Sequence, residues 1–92
     1  MRTIVLSTQF RNDLKLARKR NLPEEKLNEI VFKLANDEEI PASNRDHALT
    51  GDKIGFRECH IQPDWLLIYN KVDGEIRILN LFRTGSHSDL FK

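Results

Sequence analysis

From Phe56 to Phe82 the chain carries three strand-like runs in close succession: Phe56 to Ile61, Leu66 to Lys71 and Glu75 to Phe82. The last two are separated by Val72-Asp73-Gly74, a hairpin turn signal. Within them Leu67 and Tyr69 alternate with Leu66, Ile68 and Asn70, and Ile76, Ile78 and Leu79 are apolar. A strand that is apolar on successive residues has no face to give to water, so this pair belongs near the middle of a sheet. Everything else in the chain has to be arranged around it.

Two helices precede these strands. Residues 2–6, rich in Ile, Val and Leu, read as a short first strand. Ser7 or Thr8 can cap a helix running to about Arg20, with Phe10, Leu14 and Ala17 at helical spacing. Asn21-Leu22 turns the chain, and Pro23 suits the first turn of a second helix, with Glu24 and Glu25 beside the positive end of its dipole. Leu27, Ile30, Val31, Leu34 and Ala35 form its apolar stripe. The stretch from Ile40 to about Ile54 is polar, holds Pro41, Asn44 and Gly51, and reads as a loop. The order is strand, two-helix hairpin, then a three-stranded antiparallel meander. That is an α+β domain with helices packed on one face of a mainly antiparallel sheet. The opposite face must be solvated or functional.

At 92 residues the chain is sized for one domain, residues 1–92. Its 39% hydrophobic and 32% charged residues exclude a disordered chain. No apolar run approaches the ~20 residues that span a bilayer, which argues against a membrane protein. No secretory leader is read at Met1–Leu6, and Cys59, the only cysteine, cannot form an internal disulfide; both favour the cytoplasm. The net charge is only +1, but it is unevenly spread. Residues 1–20 carry +5 and residues 21–40 carry −4. Lys15, Arg18 and Lys19 lie largely off the apolar stripe of the first helix, where they form either a patch for phosphates or an ordinary solvated face.

Chemistry-bearing residues collect in the second half. His47, His60 and His87 all fall in loops or at strand ends. In a meander the ends of neighbouring strands meet at one edge, so His60, the turn Gln62-Pro63-Asp64-Trp65 and the tail Arg83 to His87 can converge. RNA cleavage without a metal needs a base for the 2′-hydroxyl, an acid for the departing 5′ oxygen, and a cation beside the phosphorus oxygens. Histidine suits the first two roles, aspartate can act as a base or orient a histidine, and arginine suits the third. His47, His60, Asp64, Arg83 and His87 supply every part. Trp65 and Phe91 could stack on splayed bases, although a Trp at a strand start equally suits a core. His47, His60, Asp64 and His87 are also adequate zinc ligands, but their spacing is irregular and contains no paired ligand motif. Cys59, one position from His60 in a strand, points to the opposite face.

The segments Asp46-His47-Ala48-Leu49-Thr50-Gly51, His60-Ile61-Gln62-Pro63-Asp64-Trp65 and Arg83-Thr84-Gly85-Ser86-His87 resemble the YafQ branch of the RelE toxin superfamily. The likeness covers the whole chain in element order and length. It implies a RelE-like microbial ribonuclease fold and the toxin of a type II toxin–antitoxin pair, cutting messenger RNA in the ribosomal A site without metal or cofactor. It implies as partners a cognate antitoxin, the ribosome and mRNA, with operator DNA bound only through the antitoxin complex. The family's functional positions carry over to His47, His60, Asp64, Trp65, Arg83, His87 and Phe91. His87 is then expected as general acid and Arg83 as stabiliser of the charge on phosphorus, with Asp64, His60 or His47 as base or orienting group. The alternative from another class is a toxin-like binding module without catalysis that acts only with its antitoxin on DNA.

Overall fold

A computed structural model describes residues 1–91. Its elements run β1 (Thr3–Leu6), α1 (Thr8–Lys19), α2 (Glu24–Ala35), β2 (His47–Ala48), β3 (Arg57–Gln62), β4 (Trp65–Asp73), β5 (Arg77–Gly85) and α3 (His87–Leu90). The strands form one five-stranded sheet in the order β1-β5-β4-β3-β2. Only β1 runs parallel to its neighbour; the β2–β3, β3–β4 and β4–β5 pairs are antiparallel. The central position of β4 accounts for its composition: Trp65 through Tyr69 are all buried, alternate residues serving opposite faces.

Helix α1 starts where Ser7 accepts the Phe10 amide on its hydroxyl, and α2 follows Pro23, which stands at the N-cap rather than inside the first turn. Phe10, Ala17, Leu27, Ile30, Leu34 and Ala35 bury against Cys59, Ile61, Trp65, Leu67, Tyr69, Leu79 and Leu81, so the main core lies between the helices and one face of the sheet. The other face holds a smaller cluster: Leu66, Ile68 and Leu90, flanked by Leu49, Phe56 and Phe82. Arg2, only 6% exposed, binds Asp37 and Asp73 and fixes the N-terminus over the β4–β5 hairpin.

Two expectations need refinement. The polar stretch 40–54 contains the two-residue strand β2, which is too short to show any periodicity, and two 3-10 turns at Ala42–Asn44 and Gly51–Lys53. The tail Arg83 to His87 is not a loop: β5, read from the sequence as ending at Phe82, continues to Gly85, and Ser86 caps a one-turn helix with a reciprocal Ser86–Asp89 capping box. Among the described residues no helix is long and apolar enough to cross a membrane.

Candidate active site

The site follows from the strand register. Leu66 lies opposite His60 on one side and Gly85 on the other, while Ile68 lies opposite Glu58 and Arg83. His47 in turn lies opposite Glu58. Residues directly opposite in an antiparallel pair share a face. Two adjacent rows, His47–Glu58–Ile68–Arg83 and His60–Leu66–Gly85, therefore cross the sheet on the face without long helices.

Each imidazole is anchored through Nδ1. His47 Nδ1 lies 2.7 Å from the Arg45 carbonyl, and His60 Nδ1 lies 3.3 Å from the Pro63 carbonyl. A carbonyl only accepts, so both rings donate from Nδ1, which leaves Nε2 to exchange a proton. Both Nε2 atoms face one carboxylate: Glu58 Oε1 is 3.6 Å from each, and Glu58 is only 5% exposed. His87 donates its backbone N–H (3.0 Å) and its Nδ1–H (2.8 Å) to Asp64 Oδ1. Those bonds, the backbone one foremost, hold the Asp64 carboxyl below its ordinary range. The His60 and His87 rings are 5.6 Å apart, and Phe91 stands 6.4 Å beyond His87 with Lys53 Nζ over its ring.

Helix α3 is itself held. Arg20 donates to both Asp89 oxygens at 2.6 and 3.2 Å, and Asp89 accepts the Ser86 amide at 3.0 Å. Gly85 permits this closure, because a Cβ there would lie 3.0 Å from the Asp89 side chain. Where β1 ends, α1 takes over the edge of β5. Asp13 accepts two bonds from Arg83 (2.8 and 3.1 Å) and one from the Thr84 amide (3.0 Å).

The fold thus gathers His47, His60, Asp64, His87 and Phe91, and aligns Arg83 with them in register while Asp13 engages its guanidinium. Trp65 must be corrected as a base-stacking residue. It is 2% exposed and packs beneath the helices on the face shared with Leu67 and Tyr69, so no base can reach it. Of the α1 cations, Arg18 is engaged by Glu24, while Lys15 and Lys19 are exposed and unpaired among the described residues; none of the three touches the cluster. Cys59 lies in the helix-side core, where burial pushes its thiol up to about 12 and leaves it inert at neutral pH. Glu58 was missed, although its position two residues before His60 places both on one face. With His60 and His87 it forms the one group of three among the described residues whose ligand atoms lie within 4.8 Å of one another, so this trio is where a metal ion would fit.

This arrangement has counterparts in known proteins. Residues 2–92 match the family described as bacterial toxin of type II toxin–antitoxin system, YafQ. The chain belongs to this family. The mRNA interferase toxin YafQ of Escherichia coli K12 is 41% identical over 91 residues, covering 98% of this chain and 96% of that protein. YafQ in the E. coli DinJ–YafQ complex superposes with a TM-score of 0.89 at 40% identity, covering 100% of both chains. A metal-bound toxin from Helicobacter pylori superposes with a TM-score of 0.90 at 40% identity, covering 99% of this chain and 100% of that one. The α+β fold with its mixed five-stranded sheet is therefore that of the YafQ toxins.

Proposed function

We propose that this YafQ-family chain is a single-domain endoribonuclease, residues 1–92, acting in the cytoplasm as the toxin of a toxin–antitoxin pair and cutting mRNA in the ribosomal A site. The observation that carries the reading is the His60–His87 pair: two rings 5.6 Å apart, each tied through Nδ1, one beside Glu58 and one beside Asp64. Two such groups suit the two proton transfers of transesterification. His60, with Glu58 and His47 beside it, takes the 2′-hydroxyl proton. The 2′ oxygen attacks phosphorus, the bond to the 5′ oxygen breaks, and His87 gives that oxygen its proton, leaving a 2′,3′-cyclic phosphate. Asp64 orients His87 and stabilises its protonated form. Arg83 offsets the charge on the phosphorus oxygens, exchanging Asp13 for phosphate.

The reaction needs no metal in this scheme. An ion on Glu58, His60 and His87 would occupy the imidazole lone pairs that the proton transfers use. The partner that silences the toxin is a cognate antitoxin, as DinJ accompanies YafQ in the E. coli complex. Operator DNA is reached only through that complex. The test is induced expression of the wild type beside His87→Ala and Arg83→Ala, with primer extension on a translated reporter. Growth arrest with codon-positioned cuts, lost in the variants, is expected, and cutting should persist in chelator once ribosomal magnesium is controlled. A folded wild type that neither arrests growth nor cuts would favour the non-catalytic DNA-bound module.

A further inference from the structure

Beside the cluster, on the far side of His60, lies a cavity of about 360 Å³ walled by Ser43, Asn44 and Arg45 on one side and by His60, Gln62 and Pro63 on the other. Its walls are fixed to the site. Asn44 Nδ2 donates to the His60 carbonyl at 2.7 Å, and the Arg45 carbonyl accepts His47 Nδ1–H at 2.7 Å. Arg45 holds a left-handed backbone (φ 50°), which a residue with a side chain adopts at a cost; the bend carries the chain from the Ala42–Asn44 turn into β2.

The polar groups around this cavity are unspent. Among the described residues the Gln62 amide makes no side-chain hydrogen bond and the Arg45 guanidinium has no acidic partner, whereas Arg18, Arg20, Arg57 and Arg83 are all paired. Asn44 uses its amide donor on His60 and keeps its oxygen. A larger cavity on the other side of Arg45, about 540 Å³, is lined by Asp37, Glu38, Glu39 and Asp46 as well as by Arg57 and Lys71. Those two cations are already engaged by Asp46 and Asp37, so among the described residues it offers a phosphodiester no free cation beyond Arg45 itself.

We propose that the smaller cavity seats the nucleotide flanking the scissile phosphate, with the Gln62 amide reading the edge of its base and Arg45 holding its phosphate. This rests on the ribonuclease reading and adds to it the source of sequence preference. An amide presents one donor and one acceptor side by side, which matches the paired groups on a base edge. A single-stranded nucleotide is read on such edges once unstacked. Arg45 contributes charge without sequence information.

The experiment compares cut maps on one translated reporter for wild type, Gln62→Ala, Gln62→Glu, Arg45→Ala and His87→Ala, each first shown to be folded by thermal melting. Gln62→Ala is expected to lower the ratio of strongest to weakest cuts at least about fivefold. The near-isosteric Gln62→Glu, which replaces the donor with an acceptor, should shift which sites are preferred. Arg45→Ala should slow cutting at all sites and leave the pattern in place. Unchanged maps and rates in both Gln62 variants would overturn the subsite while leaving the ribonuclease reading intact. A wild type that makes no cuts strikes the ribonuclease reading itself, and the subsite falls with it.

Discussion

The two faces of the sheet are made from the same strands and solve different problems. Under α1 and α2, the residues Cys59, Ile61, Trp65, Leu67, Tyr69, Leu79 and Leu81 are all buried and almost entirely apolar. On the opposite face the intervening positions include Glu58 and His60, with Leu66 and Ile68 covered by a small cluster of Leu90 from α3 with Leu49, Phe56 and Phe82. The first face gains free energy from area removed from water and needs no directional bonds. The second gives up part of that gain, and its polar groups are positioned by identifiable partners: Pro63 for His60, Asp64 for His87, and Asp89 for the turn that carries His87. Period-two alternation allows one strand to serve both purposes, so stability and chemistry are separable by substitution.

That separation is tested most directly by a pair of variants. His87→Ala should cut RNA about 10²- to 10⁴-fold more slowly, the usual contribution of a positioned acid or base, and melt within a few degrees of wild type. Trp65→Ala should lose about 3–5 kcal/mol in urea unfolding, because it empties a large volume beneath the helices. Comparable destabilisation by both would mean that the open face also carries the fold. One detail tempers the Trp65 loss: its indole Nε1 is buried without a hydrogen-bond partner, so the change also removes an unsatisfied donor.

Arg20 sharpens the comparison because it belongs to the helical layer yet acts on the other face. It touches none of the histidines; it grips Asp89 and so fixes the turn on which His87 sits. It is a positioning residue. Arg20→Ala should lower kcat about tenfold with little change in KM, since a slightly misplaced acid harms the chemical step more than docking. Arg20→Lys, which keeps the charge but loses the fork, should recover part of that rate. Equal loss in kcat and KM, without rescue, would show that Arg20 serves general integrity instead.

Much of this was readable from residues alone, for reasons that differ by region. The apolar stripe Leu27–Ile30–Val31–Leu34 and the continuous run in β4 report burial directly, and both helices and the meander follow from them. The parity of Trp65 with Leu67 and Tyr69 was the available sign that it is core, and the parity of Glu58 with His60 was the sign of a shared face. By contrast, Asp13–Arg83 and Arg20–Asp89 join residues 70 and 69 apart. They depend on β1 pairing parallel to β5 and on α1 continuing along that strand's edge, which no local pattern encodes. The β-bulges at His60/Gln62 and Ile68/Tyr69 shift side-chain parity, which also blurs how Arg83 and the Gln62–Trp65 turn face.

The smallest effect concerns the pH dependence of the Arg20 clamp. The Asp89 carboxyl is held well below its ordinary range, first by Arg20 and then by the Ser86 amide. A carboxylate whose folded pKa is depressed stabilises the fold above its unfolded value of about 3.9 and loses that contribution as pH falls through the folded value. Removing Arg20 removes the main cause of the depression. The melting difference between wild type and Arg20→Ala should therefore be full at pH 7 and still full near pH 5. Below about pH 4 it should shrink, as the wild type alone gives up the clamp. With Arg20 at 43% and Asp89 at 23% side-chain exposure, solvent screening keeps the difference below about 1 kcal/mol, a shift of a few degrees in a domain this small. Melts at pH 7, 5 and 3 decide it. A gap that persists unchanged into acid would show that Arg20 stabilises through packing of its stem rather than through the carboxylate, and α3 would then be held by its capping box and by the His87–Asp64 bonds.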